Sequence, residues 1–111
     1  MKKRIGKRIN IGLDAEFGSS CSALTENISE GGIYVKIAYT EPSGSIKPGT
    51  TLKLVIELPS GKLLDLNCKK IWSTKNTSNS LIEHIGVKII NPPDEYIYFY
   101  HHLRLQNFRW Q

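Results

Sequence analysis

Apolar residues recur at every second position through most of this chain, the spacing of half-buried β-strands. The cleanest case is Thr51 to Leu58, where Leu52, Leu54, Ile56 and Leu58 face one way and Lys53 and Glu57 the other. Pro59-Ser60-Gly61-Lys62 reads as a hairpin turn, and Leu63 to Ser73 as the return strand with Leu64, Leu66 and Cys68 on one face. Ile71 falls out of that phase, which predicts a bulge near Lys69-Lys70. Weaker alternation predicts strands over Ile11 to Phe17, Cys21 to Ser29, Ile33 to Ala38 and Leu81 to Ile90. Glu41 to Thr50 and Thr74 to Ser80 are rich in Pro, Gly, Ser, Thr and Asn and predict loops. The period then changes. Tyr96, Phe99, Tyr100 and Leu103 form one helical stripe, and Asn91-Pro92-Pro93-Asp94 reads as a start signal with Asn91 as N-cap and Pro92 first in the helix. A helix over about 91–106 follows from these signals. The fold class is mainly β: six short strands as a small antiparallel barrel or sandwich, with one C-terminal helix.

Composition narrows the function classes. The 111 residues make one domain, 40% hydrophobic, with a formal net charge of +5. That balance admits nucleotides, nucleic acid or a membrane surface as partners without choosing among them. No apolar run is long enough to span a bilayer, and none follows the basic start Met1-Lys2-Lys3-Arg4, so a cytoplasmic location is expected. Cys21 and Cys68 are expected as free thiols; no CxxC exists, and His84, His101 and His102 lack zinc-site spacing. No Ser/His/Asp set, Cys/His set, phosphate loop or carboxylate pair points to an enzyme, so no catalytic residues, metal or cofactor are expected. Trp72 and Trp110 read as core or barrel-cap residues before a stacking platform. Asn27-Ile28-Ser29 and Asn76-Thr77-Ser78 are glycosylation sequons by spacing, without a secretory signal to support them.

The chemistry concentrates in two stretches. Asn27-Ile28-Ser29-Glu30-Gly31-Gly32 ends one strand and turns into the next. Asn27 and Ser29, two apart, share a face, and the glycines supply positive φ and bare backbone. Upstream, Arg4 and Arg8 sit in Lys2-Lys3-Arg4-Ile5-Gly6-Lys7-Arg8, a head with no apolar anchor of its own. Guanidinium forks, an amide, a hydroxyl and exposed backbone suit a small, flat, anionic ligand. Each stretch alone has a plainer explanation, a solvated tail in one case and an ordinary hairpin turn in the other.

Taken in order, Arg4-Ile5-Gly6-Lys7-Arg8 fits RxxxR and Asn27-Ile28-Ser29-Glu30-Gly31-Gly32 fits [DN]xSxxG, and together they resemble the bacterial PilZ domain; Gly86-Val87-Lys88-Ile89 resembles its last barrel strand. The resemblance implies a six-stranded barrel with a C-terminal helix and, as ligand, the second messenger cyclic di-GMP. It assigns the ligand to Arg4, Arg8, Asn27, Ser29 and Gly32, with Lys3, Lys7 and Gly31 as lesser contacts. The arginines would meet phosphates and guanine edges. Residues 1–10 are then a flexible head that folds over the ligand, and 11–111 the barrel domain with its helix. Signalling would pass through the changed surface to an effector protein. One ligand molecule or an intercalated pair would fit this resemblance. Two other readings stand beside it: a ligand-independent adaptor of the same fold, and a basic barrel that binds single-stranded nucleic acid.

Overall fold

A computed structural model of the chain describes residues 8–17, 21–39, 47–74 and 81–109, with side chains described to Gln106. Its elements are β1 (Ile9–Asn10), β2 (Asp14–Phe17), β3 (Cys21–Ile28), β4 (Gly32–Ala38), β5 (Thr51–Glu57), β6 (Leu63–Thr74), β7 (Ile82–Ile89) and α1 (Asp94–Arg109). All strand pairings are antiparallel. β2 pairs with β3 and β5, β5 with β6, β6 with β7, β7 with β4, and β4 with β3, which closes the ring. β1 continues the line of β2 along β3. The barrel therefore has six strands, the first of them in two pieces.

That break departs from the single strand expected over Ile11 to Phe17, and Thr25 explains how it is tolerated. The buried Thr25 hydroxyl accepts a hydrogen bond from the Leu13 N–H at 2.8 Å and donates to the Ile11 carbonyl at 2.7 Å. One side chain thus satisfies two backbone groups that the interrupted ladder would leave unpaired. Ile9 and Asn10, grouped with the head on sequence, are paired backbone here, opposite Ile28 and Asn27.

The interior follows the alternation. Leu54 and Ile56, Leu64, Leu66 and Cys68, Ile33, Val35 and Ile37, and Ile85, Val87 and Ile89 all point inward. Tyr96 and Tyr100 of α1, fully buried, complete this core, while Phe99 and Leu103 pack at its edge. The expected helical stripe is the face that docks.

Two bulges re-aim side chains. The β6–β7 register shifts between Lys70 and Trp72, so Lys70 stays inward in phase with Cys68 while Ile71 and Trp72 both face out. The bulge expected near Lys69-Lys70 sits at Ile71. The second lies in β3, where the register against β4 shifts between Thr25 and Asn27. It turns both Glu26 and Asn27 away from the core and returns Ile28 inward.

Strict inward phase on β6 and β7 also places two charged residues inside. Lys70 is 1% exposed and Glu83 0%, with Lys70 Nζ 3.6 Å from Glu83 Oε2. The Tyr39 hydroxyl donates to Glu83 Oε1 at 2.6 Å.

The helix start also differs. Asn91 is not the N-cap: it adopts φ 50°, a left-handed conformation that Asn tolerates better than most residues, and there it turns the chain out of β7. Pro93 is the capping position, its carbonyl accepting from the Tyr96 and Ile97 N–H groups. Asp94 and Glu95 lie in the first turn, where negative charge suits the dipole. Among the described residues no helix is long and apolar enough to cross a membrane.

Candidate functional site

The site begins with Arg8. Ile9 next to it is buried and paired with Ile28, so the segment does have an apolar anchor, contrary to the sequence reading. Anchoring Ile9 brings the Arg8 guanidinium to Asn27, and Arg8 Nη1 donates to Asn27 Oδ1 at 2.7 Å. The β3 bulge makes this contact: without the extra residue, Asn27 would point into the barrel. The bond occupies one edge of the fork and leaves guanidinium N–H groups for a ligand.

Ser29 and the glycines form the floor. The Ser29 N–H donates to the Gly32 carbonyl at 2.8 Å, and the Ser29 hydroxyl, nearly buried, donates to the same oxygen at 3.3 Å. Ser29 thus shapes the turn. Neither Gly31 nor Gly32 has the positive φ expected of it; among the described glycines only Gly49 and Gly61 do. Gly32 is needed for closeness: a Cβ there would lie 3.1 Å from the Val87 carbonyl oxygen and 3.9 Å from Arg8 Nη2. Gly31 is open and exposed, its backbone facing the groove.

The helix holds this turn from behind. The Tyr96 hydroxyl donates to the Ser29 carbonyl at 2.5 Å in a buried setting. Burial keeps its pKa far above the ordinary tyrosine value, with Arg8 pulling weakly the other way, so the hydroxyl keeps the proton it donates. On the same helix, His101 Nε2 lies 3.8 Å from Glu30 Oε2.

These groups rim an open groove of about 790 Å³. One wall is Arg8, Ser29 and the Glu30–Gly32 turn; the other is Ile71, Trp72, Gly86 and Lys88, with Pro92 and Ile97 at the end. Trp72 corrects the sequence reading, since it stands outside the core and is 40% exposed. Its indole lies flat against Gly86, where a Cβ would come within 2.3 Å of Nε1, and Tyr34 meets it edge-on at 5.0 Å between centroids. A Trp–Gly pairing across two strands was not read from sequence, although Gly86 was noted there for another reason.

Of the predicted site residues, the structure brings together Arg8, Asn27, Ser29, Gly31 and Gly32. Arg4, Lys3 and Lys7 lie outside the described residues, as does Trp110. Both cysteines are free, Cys68 buried and Cys21 partly so. Among the described residues no group of three or more His, Cys, Asp or Glu side chains could hold a metal ion.

Comparison with known proteins bears on this arrangement. No curated protein sequence matches the chain. The solved structure of the Bacillus subtilis inhibitor of motility, MotI/DgrA, shares the fold at a TM-score of 0.74 and 20% identity, over 96% of this chain and 53% of that one. The chain thus spans about half the length of that relative. The family model for the PilZ domain matches residues 2–104, nearly the whole chain and both motif stretches, and the protein belongs to the PilZ domain family.

Proposed function

We propose that this chain is a receptor for cyclic di-GMP that passes the signal to a protein partner. The observation that carries the reading is the Arg8–Asn27 contact at 2.7 Å, set beside the bare backbone of Gly31 and Gly32. A guanidinium held by a neutral amide keeps its full charge for an anion, and its plane and fork suit both phosphate oxygens and the O6/N7 edge of guanine. Trp72 offers a flat face across the groove for a base. Arg4, Lys3 and Lys7 complete the proposed set of ligand contacts as further cations for the two phosphates. A bound dinucleotide would change the surface that the groove presents to a partner.

The groove favours this over an extended single strand of nucleic acid. Its cationic and aromatic groups converge on one hollow, whereas a nucleic-acid track would repeat them along a face. The test is equilibrium binding of cyclic di-GMP to the wild type and to Arg8→Ala. Loss of most binding in the variant, with an unchanged melt, supports the receptor reading. Equal binding by both, or no binding by the wild type, contradicts it and leaves a ligand-independent adaptor.

A further inference from the structure

The strand register sets an unusual pair beside the Arg8 cradle. Lys88 on β7 lies directly opposite Gly32 on one side and Lys69 on the other. Both lysines are exposed and point outward, since their neighbours Val87, Ile89, Cys68 and Lys70 point inward. Opposed residues in an antiparallel ladder have Cβ atoms roughly 5 Å apart, and like charges placed so are unfavourable. Three other lysines do have carboxylate neighbours: Lys53 has Asp65, Lys62 has Glu95, and Lys70 has Glu83. Among the described residues no carboxylate lies within ion-pair distance of Lys69 or Lys88. Lys88 lines the groove, and Gly32 puts no side chain between it and Arg8.

We propose that Lys88, backed by Lys69, is a second anion-binding position of the groove, holding a phosphate of the bound dinucleotide apart from the group held by Arg8. The inference rests on the dinucleotide reading above and deepens it. A ligand with two separated phosphates gains from both positions, whereas a mononucleotide reaches one. The anion would also relieve the repulsion between the two lysines, so the feature that burdens the free protein favours the complex.

The experiment uses the full chain as wild type, Lys88→Gln, Lys69→Gln and, as a control, Lys53→Gln, titrated with cyclic di-GMP at low and at physiological salt. Lys88→Gln is expected to bind about tenfold more weakly, with the salt slope of its affinity reduced by about one. Lys69→Gln is expected to change in the same direction by less, and Lys53→Gln to stay within about twofold. The ligand-free Lys88→Gln protein is expected to melt no lower than wild type at low salt, because a repulsion has been removed. Equal affinities for Lys88→Gln and Lys53→Gln overturn the proposal. If the wild type takes up no cyclic di-GMP, the receptor reading falls by itself, and inorganic pyrophosphate judges the lysines. A melting shift in the wild type that Lys88→Gln loses keeps the anion position, and no shift, or the same shift in both, removes it.

Discussion

The guanidinium of Arg8 reaches the amide oxygen of Asn27 at 2.7 Å across a β-bulge that turns Asn27 out of the barrel. The residues are nineteen positions apart, and the pairing of Ile9 with Ile28 is what brings them together. Removing the amide should therefore free the arginine without unfolding the protein. Asn27→Ala is expected to weaken cyclic di-GMP binding by about 1–2 kcal/mol. Stability should change by less than about 1 kcal/mol, because the bond is exposed. Calorimetric titration alongside a thermal melt checks both.

Tyr96 and Ser29 make the complementary case. Their bond is buried, and Tyr96→Phe leaves the Ser29 carbonyl without its partner from the helix. A loss of about 1–3 kcal/mol in chemical denaturation is expected. Ligand affinity should also fall, because the turn carrying Gly31 and Gly32 loses its support. A variant as stable as the wild type would show that this bond does not hold the turn.

Lys70 and Glu83 depend on each other inside the barrel. Lys70→Met leaves a buried carboxylate without its cation, beside the Tyr39 hydroxyl, and a cost of about 3–5 kcal/mol is expected. Lys70→Met combined with Glu83→Leu should cost far less than the sum of the single changes. A double-mutant cycle by urea denaturation measures the coupling, and simple additivity would contradict it.

Alkaline pH should destabilise the fold. Burial pushes the Cys68 thiol up to about 12, and it raises the Tyr39 and Tyr96 hydroxyls above their ordinary value, with Glu83 adding to the effect at Tyr39. In the unfolded chain these groups release protons near about 8.5 for cysteine and about 10 for tyrosine. The unfolded state therefore loses protons first, so stability is complete below about pH 8.5 and declines as pH rises towards the folded values. Melting temperatures measured from neutral pH upward should fall beyond that point, and a flat profile would contradict the burial of these groups.

Gly86 positions Trp72. A methyl group at Gly86 would meet the indole at 2.3 Å, so Gly86→Ala must push Trp72 off the strand. In a Trp110→Phe background, which leaves one tryptophan, the emission of Gly86→Ala is expected to shift to the red and ligand affinity to drop several-fold. An unchanged spectrum would show that the ring is held by other contacts.

Much of this was legible in the sequence, and the rest was hidden for physical reasons. Leu52 to Leu58 and Leu64 to Cys68 declare strands because burial on one face imposes a period of two. Arg8 and Asn27 through Gly32 stand out in the sequence because each motif is local, and the pairing of Ile9 with Ile28 brings the two stretches together. Bulges are not local patterns, so the outward turn of Asn27 and the paired exposure of Ile71 and Trp72 appear only in the register. The burial of Lys70 and Glu83 was not read from the sequence, because the chain does not announce which charge finds a partner inside. The shift of the helix cap from Asn91 to Pro93 reflects a left-handed turn that Asn permits as readily as it caps.

The most direct measurement is a calorimetric titration of the full chain with cyclic di-GMP at physiological salt, beside GMP, GTP and a short single-stranded oligonucleotide. Tight, saturable heat with the dinucleotide alone is the expected result. Silence with the dinucleotide, or equal binding of the oligonucleotide with steep salt dependence, would contradict the receptor reading.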